Sequence, residues 1–148
     1  MIAVLQRVKS SSVKVNNKEI SRIGEGINIL LGVVKDDDER DIEKLVNKIV
    51  NLRIFPDENN KMNLSILDIK KEALVVSQFT LAADVKKGRR PSFDNAKNPK
   101  DAKILYEKFC KKLKEFIEVK EGLFGAMMEV EIINDGPVTF IIDSKNLK

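Results

Sequence analysis

A chain of 148 residues, 43% hydrophobic and 34% charged, has the length of one domain and the composition of a water-soluble globular protein. Its single cysteine excludes an internal disulfide and a Cys-x-x-Cys metal site, and its lack of histidine excludes Ser-His-Asp relays, imidazole-bound zinc and histidine phosphotransfer. A net charge of +4 is too mild to mark a nucleic-acid binder globally, so the local placement of charge matters more.

No apolar run approaches the roughly 18 residues of a membrane span. Met1-Ile2-Ala3-Val4 opens directly into a strand pattern, so no signal peptide is expected and the cytosol is the expected compartment. Residues 2–15 read as a long strand, and Asn16-Asn17 signals a tight turn into an antiparallel return over Glu19–Ile23. After Gly24-Glu25-Gly26, the apolar run Ile27–Val34 is short enough for a strand buried on both faces. Asp36-Asp37-Asp38-Glu39 supplies a cap and first-turn negative charge, and Ile42, Leu45, Val46, Ile49 and Val50 share one face of a helix over 39–51.

Arg53-Ile54-Phe55 reads as a short strand stopped by the polar turn Pro56–Asn60, and Met62–Ile69 fits no single pattern. Ala73–Phe79 is a buried strand that turns polar at its end, Ser77-Gln78-Phe79-Thr80-Leu81. Residues 82–98 form a loop carrying Lys86, Lys87, Arg89 and Arg90. Asn98-Pro99 caps a second amphipathic helix, 99–117, which has Cys110 on its packed side. Two alternating runs, Met128–Ile132 and Val138–Ile142, flank Asn134-Asp135-Gly136-Pro137 and read as a closing hairpin whose tip lacks a proline N–H. About eight strands and two long helices in this order predict a mixed α+β fold, a strongly curved, barrel-like sheet with helices against it, in a single domain covering 1–148.

Two stretches carry the candidate chemistry: Ser77-Gln78-Phe79-Thr80-Leu81 and Asn134-Asp135-Gly136-Pro137-Val138-Thr139. Together they resemble the signature pair of the D-aminoacyl-tRNA deacylases, also called D-tyrosyl-tRNA deacylases. Further matches run in order along the chain: Gln6-Arg7-Val8, Leu30-Leu31-Gly32-Val33, Asn51–Phe55, Lys61–Ser65, Gly88–Phe93 and Phe124-Gly125-Ala126. Glu121 and Met127 depart from the pattern.

The resemblance implies a homodimeric hydrolase that cleaves the ester between a D-amino acid and the terminal adenosine of tRNA, and that also takes glycyl-tRNA. It implies a cis Gly136-Pro137 bond, with each subunit inserting this tip into the other's site to read the α-ammonium and reject L-substituents. It further implies assistance from the 2′-hydroxyl of the RNA, no cofactor, no metal, and neither membrane nor DNA as a partner.

On the residues alone, Thr80 has three readings: nucleophile, positioning group or structural hydroxyl, and no histidine exists to activate it. Backbone N–H groups at Phe79 and Thr80, with Gln78 and Ser77, are candidates to hold a developing oxyanion. Phe124 is either core or, with Met128, a face for the adenine. The basic loop is either solvated or a phosphate contact. Arg7, in an apolar strand, needs a partner; with Asn134 it is expected to brace the Gly136-Pro137 tip. Two competing classes are an RNA-binding module without catalysis and a hydrolase of free D-amino acid esters.

Overall fold

The computed structural model describes all 148 residues. Its spine is β1 (Ile2–Val15), long enough to serve three partners. Along one edge its first half pairs antiparallel with β3 (Gly26–Gly32) and its second half with β2 (Lys18–Ile23). Asn16 and Asn17, with φ of 50° and 64°, make the turn between β1 and β2, the left-handed conformation that asparagine tolerates best after glycine. The sheet continues from β3 to β6 (Glu72–Ser77) and β7 (Glu118–Glu121), both in parallel. Parallel neighbours need long crossovers. The crossovers contain α1 (Glu39–Asn51) and α3 (Pro99–Lys114).

Local chemistry explains where the helices start. Asp38 caps α1 and forms a reciprocal capping box with Asp41, while Asn98 caps α3 with Pro99 in its first turn. The ambiguous stretch Met62–Ile69 resolves into β5 (Met62–Leu64), which pairs with β4 (Phe55–Pro56), and a one-turn α2 (Ile66–Ile69) boxed by Ser65 and Asp68. The 53–55 strand is thus shifted to Phe55–Pro56, α3 stops at Lys114, short of 117, and β7 is an element the pattern did not announce.

The expected closing hairpin is not formed. β8 (Glu129–Asp143) is one continuous strand, and both of its halves run antiparallel to β1 along the edge opposite β2 and β3. β1 offers a ladder long enough for both halves, so the chain has no need to turn back. Instead the proline, unable to donate into a ladder, falls in a bulge.

Two apolar clusters fill the fold. One lies between the sheet and the helices and joins Leu5, Ile29, Leu31, Ala73 and Val75 to Leu45, Ile49, Phe109 and Leu113. The other lies on the opposite face, where Val8, Val13, Ile23, Leu74 and Val76 meet Met128, Val130 and Ile132 of β8. β6 and β8 are not neighbours in the sheet, so this contact means the sheet curls nearly into a barrel. No helix is long and apolar enough to cross a membrane.

Candidate active site

β6 is buried on both faces until Ser77, which pairs with Leu31 of β3. Beyond it the chain leaves the sheet: Gln78 N–H donates to the Leu31 carbonyl at 2.8 Å, and Phe79–Ala82 close one 3₁₀ turn. Gln78 and Phe79, expected in the strand, therefore form the lip above it. The turn is seated on Gly32, where a β-carbon would stand 2.8 Å from Leu81 Cβ and 3.0 Å from the Gln78 carbonyl oxygen. No side chain caps the turn, and the leading N–H groups of a helical turn have no partner inside it.

On this lip, Thr80 is exposed and its hydroxyl accepts a 2.5 Å hydrogen bond from the Gln78 amide. No carboxylate, amine or thiol is bonded to that hydroxyl. The Phe79 ring is 62% exposed and tilts against Phe93, with centroids 5.1 Å apart.

The second stretch lies on β8. Between the ladder pairs Gln6↔Thr139 and Val8↔Asn134, β1 advances two residues and β8 five, so 135–138 loop out opposite Arg7. The Gly136–Pro137 peptide bond within this bulge is cis. Arg7 holds its base: Nε donates to the Asp135 carbonyl at 3.2 Å and lies 3.3 Å from Asp135 Oδ2, while Nη1 donates to the Ile54 carbonyl at 2.7 Å. Asn134 anchors the start of the bulge through its ladder place opposite Val8. Gly136 has φ of 128°, and a β-carbon there would meet Val138 at 2.8 Å and Arg7 at 3.4 Å.

Register gives the path between the two stretches along the curled sheet of one chain. Arg7 pairs with Ile27 and Ile27 with Ala73, four residues before Ser77, and three strand spacings separate β8 from β6. At about 3.3 Å per residue and 4.8 Å per strand, bulge and lip lie roughly 20 Å apart along the sheet.

Lip and bulge both fall inside the span matched by one family model. The model of the family described as D-Tyr-tRNA(Tyr) deacylase matches residues 4–143. The chain belongs to that family. Relatives named D-aminoacyl-tRNA deacylase include one from Persephonella marina (strain DSM 14350 / EX-H1), 66% identical over 147 residues, covering 99% of this chain and 100% of that one. Another, from Aquifex aeolicus (strain VF5), is 63% identical over 148 residues with the same coverage. The solved structure of a "c-Myc DNA Unwinding Element Binding Protein" superimposes with a TM-score of 0.93 at 44% identity, over 97% of this chain and 98% of that one. A structure described as "a probable eukaryotic D-amino acid tRNA deacylase", at 20% identity and TM-score 0.84 over 95% and 97%, shares the fold.

The other candidate residues from the sequence fall into two groups. Phe124 is half-buried, its ring 5.5 Å from Tyr106 and packed on the main core, and Met128 Sδ accepts the Leu123 N–H at 3.4 Å. These two stand near the end of β6, since Gly122 N–H donates to the Val75 carbonyl. Lys86, Lys87, Arg89 and Arg90 form the exposed tip of a loop closed by two 2.8 Å backbone bonds between Asp84 and Ser92. Cys110 packs in the core, where burial and then the Glu121 carboxylate push its thiol well above the ordinary range. Glu121 is itself paired with Lys114 at 2.6 Å. No group of three His, Cys, Asp or Glu residues converges as a metal set would.

Two contributors were not foreseen: Gly32 beneath the lip and Phe93 beside it. Gly32 had a signal, since glycine inside an apolar strand marks a close backbone approach. Phe93 had none, because a ring in a polar loop reveals no partner without the fold.

Proposed function

We propose that the protein hydrolyses the ester linking a D-amino acid to the terminal adenosine of tRNA, releasing the D-amino acid and free tRNA. Support comes first from the lip: an exposed, uncapped turn beside a threonine whose hydroxyl is bonded to an amide and to no base. Such a site can orient an ester carbonyl and stabilise its oxyanion through the Phe79 and Thr80 N–H groups, with Ser77 and Gln78 shaping the pocket. It has no means of making Thr80 a strong nucleophile. Proton transfer then falls to water and to the neighbouring 2′-hydroxyl of the substrate.

Chirality is read by the bulge. The Gly136 and Pro137 carbonyls accept the α-ammonium, glycine permits close approach, and an L-substituent would collide with this backbone. Bulge and lip share no ladder pairing or hydrogen bond within one chain, and this reading joins them in a homodimer in which each subunit's bulge completes its partner's site. Arg7 and Asn134 fix the bulge, Phe124 and Met128 flank the adenosine, and the basic loop meets the tRNA phosphates. Glycyl-tRNA, having no side chain to reject, is a second substrate. The natural setting is the cytoplasm, where aminoacyl-tRNA is found, and no cofactor is required.

The test is matched D- and L-aminoacyl-tRNA at equal enzyme. Ester loss from the D form across large and small side chains, with the L form intact, is the expected result. Equal loss of both would remove the chiral filter, and loss of neither would remove the hydrolase.

A further inference from the structure

The Phe79–Phe93 pair is an exposed aromatic surface on the lip. Phe93 is 41% exposed and Phe79 62%, although both belong to a residue type that folding normally buries. The loop that carries Phe93 is held firmly. Asp84 and Ser92 exchange both backbone bonds, Lys35 N–H donates to the Asn95 carbonyl at 2.9 Å, and Lys97 N–H donates to the Val33 carbonyl at 3.1 Å. The backbone on both sides of Phe93 is therefore anchored, and its ring rests against Phe79.

Between Asp84 and Ser92 stand Lys86, Lys87, Arg89 and Arg90, four cations in five positions, none with a carboxylate within 4 Å. Lack of a partner is shared by other lysines, Lys14, Lys18, Lys44 and Lys48 among them, and what sets the four apart is their density on one loop, next to Phe93 in sequence. Unpaired cations beside an open aromatic face suit one class of ligand in particular, an unpaired nucleotide, with phosphate on the cations and base on the ring.

We propose that Phe93, abutting Phe79, is a stacking shelf for the unpaired nucleotide that precedes the terminal adenosine, with its phosphate on the 86–90 loop. This rests on the reading that the lip receives an aminoacylated RNA end. With the ester over the Phe79–Thr80 N–H groups, the preceding nucleotide continues outward across the ring that touches Phe79. Any base presents a π-face, so the shelf recognises a single strand without reading its sequence. It gives the enzyme a grip on RNA that a free amino acid ester lacks.

The experiment compares D-phenylalanyl-tRNA with 3′-O-D-phenylalanyl-adenosine, which has no preceding nucleotide, in wild type, Phe93→Leu and Phe93→Tyr. For Phe93→Leu the ratio of kcat/KM on tRNA to that on the adenosine ester falls about tenfold through KM, the worth of one stacked base. Phe93→Tyr restores it. A proportional loss on both substrates would mean that Phe93 merely props the lip, and no loss on either would mean that it contacts nothing. Dissociation of Phe93→Leu on size exclusion would make the face a subunit contact. Each of these three outcomes overturns the shelf.

A second readout does not depend on catalysis. Uncharged acceptor-stem RNA carrying 2-aminopurine at the penultimate position is quenched on binding wild type and not on binding Phe93→Leu. If wild type quenches the probe yet hydrolyses no D-aminoacyl-tRNA, the shelf stands and the deacylase reading falls. Absence of quenching in an active enzyme does the reverse.

Discussion

Thr80 is exposed, and its hydroxyl accepts from the Gln78 amide, which is itself a donor with no basic group behind it. Nothing there lowers the barrier to removing the threonine proton, and in the function proposed above this side chain has the role of orienting group, not nucleophile. Thr80→Ala is expected to keep at least a tenth of wild-type kcat, whereas a substrate whose terminal 2′-hydroxyl is replaced by hydrogen should lose 100-fold or more, the scale of a lost proton-transfer partner. Single-turnover kinetics on the four enzyme–substrate combinations decides it, and an acyl-Thr80 adduct in a mass spectrum would reverse the assignment. Much of this was legible in the sequence, because a composition without histidine already narrows what any hydroxyl can do. The Gln78–Thr80 bond was not legible, since it arises only when the strand breaks into a 3₁₀ turn after Ser77.

Among the elements, those with a strong local signal were readable and those decided by pairing were not. The amphipathic spacing from Ile42 to Val50 and the Asp38–Asp41 box mark α1 without help from the fold. The Asn134–Pro137 stretch carries an equally strong turn signal, yet β8 runs on, because a ladder on β1 is available to both its halves and turn propensity cannot report that. The packing of β3 under the lip leads to a prediction of its own. Gly32 is pressed against Leu81 Cβ and the Gln78 carbonyl, neither of which is the free end of a flexible side chain. Gly32→Ala must push the 3₁₀ turn off its seat, at a cost of about 1–3 kcal/mol in stability from overpacking. On the proposed reading, displacing the Phe79 and Thr80 N–H groups by a few tenths of an ångström is expected to lower kcat about tenfold or more while KM for D-aminoacyl-tRNA changes little. Thermal unfolding and steady-state kinetics on the same preparation separate the two effects, and a destabilised variant with full kcat would show that the turn does not need this seat.

At the scale of the whole molecule, β8 depends on what holds its ends. It pairs with β1 alone, so the register that forms the Arg7-facing bulge rests on the ladder and on the clamp beyond Asp143. That clamp gathers distant parts of the chain. The Met1 α-ammonium donates to Asp37 at 2.6 Å and to Ser144 at 2.9 Å, Ser144 donates to Asp41 at 2.8 Å, and Lys145 reaches Asp41 at 2.9 Å. Burial by itself would raise the Asp41 carboxyl, but the Asp38 N–H, Lys145 and Ser144 outweigh it and hold the group at about 2. An acid held below its unfolded value binds its proton more readily in the unfolded chain. It therefore stabilises the fold above about pH 4, and that stabilisation disappears as the pH falls from there towards 2. The difference in pKa corresponds to roughly 2 kcal/mol at neutral pH. Asp41→Asn is expected to lose about that much at pH 7 in urea unfolding and to approach wild type as the pH falls through about 2 and below, where the carboxyl becomes as uncharged as the amide. A deficit that stays constant from pH 7 to pH 2 would mean that the charge of Asp41 does not hold the clamp and that only its shape matters.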